Sequence, residues 1–159
     1  MNKLIIDMIN NMIQLSNEKK VLLDHILEAT QKQKLFIQDE NMDGLTNILS
    51  EKDEIMKNID LLDINFLSLY NNIKSMENIS SLEDINVDKY SNIKLLKSNI
   101  NEINLMLNSI RILDNDNTRM MKTNLENIKS GLKHVKEVKN AYKGYNYEPP
   151  ESMLIDEKK

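Results

Sequence analysis

Apolar residues in this chain recur at alternating steps of three and four along long runs, and that spacing leaves few folds open. The first run is Ile5, Met8, Met12, Leu15, Lys19, Leu22, Ile26, Ala29, Gln33 and Phe36. Such a stripe stays on one side of an α-helix, whereas a strand needs a period of two, which the run never shows. Two of its members, Lys19 and Gln33, are polar. The run predicts a helix from about Lys3 to Gln38. Only 3 Gly and 2 Pro occur in 159 residues, so turns are few and helices long. Aromatic residues at 4% are too sparse for the thick core of a β-sandwich.

Asp39-Glu40-Asn41-Met42-Asp43-Gly44 interrupts the first run. Asn41 suits an N-cap, because its side chain can accept a bond from a free amide one turn ahead. Asp43 then falls in the first turn, where the helix dipole favours negative charge. The second run is Leu45, Ile48, Lys52, Ile55, Ile59, Leu62, Phe66, Leu69, Ile73 and Met76, again in threes and fours. It predicts a helix from Met42 to about Met76. So short a link makes the two helices antiparallel neighbours. Ala29 then falls opposite Lys52 and Lys19 near Leu62. Lys52 is expected to lay its stem over the seam and expose its ammonium.

The pattern fails from Glu77 to Asp88, where Ser80, Ser81 and Asp88 are candidate caps. A third run begins at Ile93, Leu96, Ile100, Ile103, Leu107 and Ile110. It loses its apolar members at Asp114-Asn115-Asp116-Asn117 and resumes at Met121, Leu125, Ile128, Leu132, Val135, Val138 and Tyr142. Asn and Asp favour turns, but no Gly or Pro breaks the patch. We expect one helix of about 55 residues, ~80 Å long. Gly131 lies inside it and Gly144 marks its stop. The fold class is therefore all-α: three long antiparallel helices, a hairpin plus a longer third helix, with coiled-coil-like packing. Residues 1–144 form the helical domain. Residues 145–159, with Pro149 and Pro150, form a flexible tail containing the apolar cluster Met153-Leu154-Ile155, suited to anchoring on a partner.

Little points to catalysis. His25 and His134 stand apart, in no metal-binding spacing, and no glycine-rich phosphate loop exists. The chain has no Cys, hence no thiol nucleophile or disulfide. We expect no enzyme, no metal and no cofactor. A net charge of −4 and a pI near 5.3 argue against nucleic-acid or anionic-membrane partners. No run approaches the ~20 apolar residues of a membrane span, nor is there a signal peptide at the start, so the expected location is cytoplasmic.

Function is then expected in binding. A hairpin of about 35-residue helices is shorter than a helix of about 55. Some apolar face of the third helix must stay open for a partner helix. The candidate residues are Leu125, Ile128, Leu132, Val135, Val138 and Tyr142, with Met153, Leu154 and Ile155 from the tail. A second copy of the chain, as in a structural coiled-coil homodimer, is the alternative occupant. Met120, Met121 and Met153 add adaptable thioethers to the same region.

Several local features resemble the FlgN-type flagellar export chaperones. Asn41-Met42-Asp43-Gly44-Leu45 followed by Leu49-Ser50-Glu51-Lys52 is similar to the family's acidic helix start and Leu-x-Glu-Lys stretch. The long third helix with Asn115 and Asn117 at its middle, and Ala141-Tyr142-Lys143-Gly144 at its end, are similar as well, as is the ending Asp156-Glu157-Lys158-Lys159. The resemblance implies a cytoplasmic chaperone that binds the C-terminal helix of the hook-associated proteins FlgK and FlgL and docks on the export gate component FlhA. It implies cargo contacts along Leu125 to Ile155 and a gate-docking role for Tyr142. A FliT-like secretion chaperone with a different client is the neighbouring possibility. Pro149-Pro150 has no counterpart in the family pattern.

Overall fold

Helix α1 spans Asn2–Gln38 and helix α2 spans Met42–Glu77 in the computed structural model, which describes residues 2–143. A single 3-10 turn, Leu82–Asp84, follows, and helix α3 runs unbroken over Ile93–Lys143. All three long helices fall where the threes and fours place them. By contacts the chain divides into two compact units, residues 1–117 and 118–159, with the boundary inside α3. No helix among the described residues is long and apolar enough to cross a membrane.

The α1–α2 turn is built as Asn41 predicts. Its Oδ1 accepts a bond from the Gly44 amide at 2.9 Å, and Asp43 stands in the first turn of α2. Gly44 has a further role that spacing alone does not reveal. A Cβ there would lie 2.6 Å from the Phe36 ring, so only glycine lets that ring close over the turn. At the far end, Asn78 takes the left-handed conformation (φ 53°) and its amide bonds to the Lys74 carbonyl, a normal use of Asn where a helix stops.

The link from α2 to α3 is more structured than a polar connection. The Ser81 amide and the Ser80 hydroxyl both donate to the Asp84 carboxylate, at 3.2 and 3.0 Å. Asn86 Oδ1 accepts from the amides of Asp88 and Lys89. Asp88 thus belongs to a turn and caps no helix, since α3 starts five residues later. On either side of the second turn the chain inserts Ile85 and Tyr90 into the core. They join Ile5, Ile9, Met12, Ile73, Ile93 and Leu96 in the larger apolar cluster. Each such side chain, fully buried, contributes about 1.5–3 kcal/mol.

Tyr90 is 1% exposed, and its hydroxyl donates to Glu77 at 2.5 Å. Burial, reinforced by this bond, pushes the phenol above its ordinary value of 10.0. A raised folded value stabilises the protein fully below the unfolded value, and that stability is lost as pH rises through the folded one. Chemical denaturation from pH 7 to 11.5 should therefore show wild-type stability falling above about pH 10. Tyr90→Phe should cost about 1 kcal/mol at pH 7 and flatten that alkaline fall. An unchanged fall in the variant would place its origin elsewhere.

Within the first unit, α1 and α2 are antiparallel: Lys19 pairs with Asp63 and Lys52 bonds to Gln33. The first part of α3 runs alongside α1 in the same direction, Asn92 meeting Asn10, Asn99 meeting Ser16, and Asn117 meeting Thr30. Apolar and polar layers alternate along this stack. Above the Tyr90 cluster, Asn99 donates to Ser16 and Asn17 while Lys20 bonds Asn99 and Glu102. A second apolar cluster of Leu23, Ile26, Ile59, Ile103 and Ile110 follows. A last polar layer then joins Gln33, Lys52 and Asp114, with Asn117 Nδ2 donating to the Thr30 carbonyl at 3.0 Å.

This last layer corrects one expectation and explains another. The Lys52 ammonium is not given to solvent. It bonds Gln33 Oε1 and Asp114 Oδ1, both at 2.9 Å, and the side chain is 14% exposed. An ammonium in such a seam needs acceptors, and Gln33 and Asp114 supply them. The Asp-Asn patch lacks apolar members for the same reason. It forms the α3 side of this layer, and α3 passes through it without a break.

Candidate functional site

The described part of the second unit is the helical segment 118–143. It extends a helix already formed upstream, so it adds residues without a nucleation cost. Its sequence alternates as the first two runs do, through Met121, Leu125, Ile128, Leu132 and Val135 to Tyr142. Helices of this kind ordinarily owe their stability to burying such a stripe. Here none of the large apolar side chains of 118–143 is buried.

The expected site residues take these positions. Leu125, Ile128, Val135, Val138 and Tyr142 are between 41% and 58% exposed. Leu132 is half-buried. Met121 is exposed and Met120 half-buried. One α-helix brings Leu125, Ile128, Leu132, Val135 and Tyr142 onto a common side, with Val138 at its edge. Met153, Leu154 and Ile155 lie outside the described residues. Lys139 occupies the place in the alternation where an apolar residue would fall, and it is buried.

What this segment can do follows from its surface. An amphipathic helix with an uncovered aliphatic row offers non-directional apolar contact to another apolar surface, with side-chain amides and ammonium groups at its margins. Such a face suits apolar association. The histidines are both exposed, His134 beside the row and His25 on α1. Among the described residues no group of three His, Cys, Asp or Glu could hold a metal ion.

The first unit holds a second apolar feature that periodicity did not single out. A groove of about 340 Å³ opens between the three helices, lined chiefly by Leu15, Leu62, Phe66, Ile100, Ile103 and Leu107, with the Lys19–Asp63 pair among its walls. Those side chains belong to the predicted seams, and the groove is where three bulky rows leave space unfilled.

Comparison with known proteins adds one finding. The family model described as FlgN protein matches residues 8–153. No curated protein and no solved structure matches the chain.

Proposed function

This chain belongs to the FlgN family of flagellar export chaperones, and from that premise we propose that it holds the C-terminal helix of hook-associated proteins and delivers them to the export gate. The observation that supports this reading is the exposure of Leu125, Ile128, Val135, Val138 and Tyr142 along 118–143. A client helix with its own apolar stripe would associate prematurely if left bare. Laying it along Leu125, Ile128, Leu132, Val135 and Val138 removes both stripes from water. Each ~100 Å² of apolar surface so covered contributes about 2.5 kcal/mol before ordering costs. The process needs neither a nucleotide nor a metal, and it belongs in the cytoplasm, before the client is exported.

In this reading the clients are FlgK and FlgL and the gate component is FlhA. Residues 1–144 act as the helical body, and Met153-Leu154-Ile155 in the tail add a short anchor for the client. Tyr142 is the gate-docking residue: it is 54% exposed and closes the row. An aromatic of this kind, seated in a partner pocket, is often worth more than 1 kcal/mol.

The test uses the full chain with the C-terminal helices of FlgK and FlgL and with purified FlhA. Each client helix should form a one-to-one complex in size-exclusion chromatography. Tyr142→Ala should weaken FlhA binding by about tenfold or more while client affinity changes little. Absence of both client complexes, or equal loss of client and gate binding in Tyr142→Ala, would contradict the proposal.

A further inference from the structure

Residues 118–143 carry seven basic and two acidic side chains, whereas residues 1–117 carry 12 basic and 19 acidic. A chain of net charge −4 thus gathers positive charge on one helical segment. The placement is more specific than the count. Lys122, Lys129, Lys136 and Lys143 recur every seven residues, and all four are exposed. On a helix, side chains three and four apart are neighbours. Lys122 and Lys129 therefore flank Leu125, and Lys129 and Lys136 flank Leu132. The lysines edge one side of the row. The other edge, Asn124, Gly131 and Val138, bears no charge. A Cβ at Gly131 would meet nothing within 4 Å, so the edge is open at that point.

In coiled-coil notation the row places Leu125 and Leu132 at a, and Met121, Ile128 and Val135 at d. All four lysines then fall at e, the position whose charges choose a partner. A strict seven-residue repeat drifts by about 20° per heptad on a straight helix. Row and edge stay aligned with a partner only if the two wind around each other left-handedly. That argues for another helix and against a flat lipid surface, which suits an unwound helix with basic residues on both edges. A second copy fits poorly. An antiparallel pair would set lysine against lysine, and a parallel pair would set lysine against the uncharged edge.

Resting on the reading of 118–143 as the client-binding face, we propose that its occupant is a partner's amphipathic helix with Glu or Asp along the heptad edge that meets these lysines. The two wind together as a left-handed coiled coil. The lysines supply selection and register, and the aliphatic row supplies most of the attraction.

The test uses the full chain and three synthetic heptad peptides sharing one Leu/Ile seam, with the e and g positions all Glu, all Gln or all Lys. Binding is read by fluorescence anisotropy at low and high salt. The wild-type chain should bind the Glu peptide about tenfold more tightly than the Gln peptide and the Lys peptide least. The gap should shrink in high salt. Lys122→Glu/Lys129→Glu/Lys136→Glu/Lys143→Glu should reverse the order, and its binding of the Lys peptide shows that it is folded. Equal binding of the Glu and Gln peptides would overturn the charged edge while leaving the client-binding face intact. No binding of any peptide would remove both. Three further results would also overturn the proposal. Binding that appears only in Met153→Asp/Leu154→Asp/Ile155→Asp would give the row to the chain's own tail. A dimer abolished by Ile128→Asp would give it to a second copy. Tighter binding to phosphatidylglycerol vesicles than to the Glu peptide would give it to a membrane.

Discussion

Asn117→Asp should destabilise the first unit by about 3 kcal/mol or more at neutral pH, although the two side chains have nearly the same shape. Asn117 is 1% exposed, and its Nδ2 donates to the Thr30 carbonyl at 3.0 Å. Its Oδ1 is buried and meets no protein donor. In the aspartate an acceptor replaces the only bonded donor, so a carboxylate oxygen faces a carbonyl oxygen in a dry seam. Neither can donate, and neither reaches water. The neighbouring Thr30 hydroxyl offers no relief, because it already donates to the Ile26 carbonyl.

The penalty should depend on pH in a fixed direction. Burial without a donor raises the folded-state value of such a carboxyl above its unfolded value near 3.9. Below the unfolded value the protonated acid can donate to Thr30, and the variant approaches wild type. As pH rises through the folded value that stability is lost. Urea denaturation of both proteins between pH 4 and 8 measures the gap. It should widen with pH, and a constant gap would mean that the Thr30 bond is not its cause. Asn117→Leu, which removes the unpartnered oxygen together with the donor, should cost less than Asn117→Asp.

The polar layers also show where sequence reading succeeds and where it stops. A three-four alternation predicts α1 and α2 to within a residue or two at each end, because helix periodicity is a local property that one stripe displays completely. Asn41 is legible as a cap for the same reason: donor and acceptor lie three residues apart. Continuity of α3 through Asp114 to Asn117 could be expected, but its cause could not. Asp114 finds Lys52 and Asn117 finds Thr30, and those pairings span separations that no local pattern encodes. Ile85 and Tyr90 were missed as core residues because the chain between Glu77 and Ile93 has no period to read. Gly44 reads from sequence as part of a break, whereas the Phe36 ring packs where its Cβ would stand.

The candidate face was legible in part. Its row from Leu125 to Tyr142 follows directly from spacing; Leu125, Ile128, Val135, Val138 and Tyr142 are exposed and Leu132 is half-buried. Its charged edge was hidden by the whole-chain balance of −4, which averages a basic segment against an acidic remainder. A count taken segment by segment would have revealed it. The tail cluster Met153-Leu154-Ile155 lies outside the described residues.

The second large effect concerns that face. Ile128 and Val135 are 58% and 45% exposed, so replacing both with Asp removes little internal packing and should leave folding nearly unchanged. In a complex each would be covered by the client. Losing two buried aliphatic groups and desolvating two carboxylates should cost at least about 4 kcal/mol, roughly a thousandfold in Kd. Circular dichroism and thermal melting should match wild type, which separates loss of binding from loss of structure.

Calorimetric titration of a hook-associated C-terminal helix into wild type and into Ile128→Asp/Val135→Asp is the most direct measurement. Saturable one-to-one heat with wild type and none with the equally helical variant is the expected pair of results. Heat of the same size and midpoint from both proteins would mean that the client is held somewhere other than the row of 118–143.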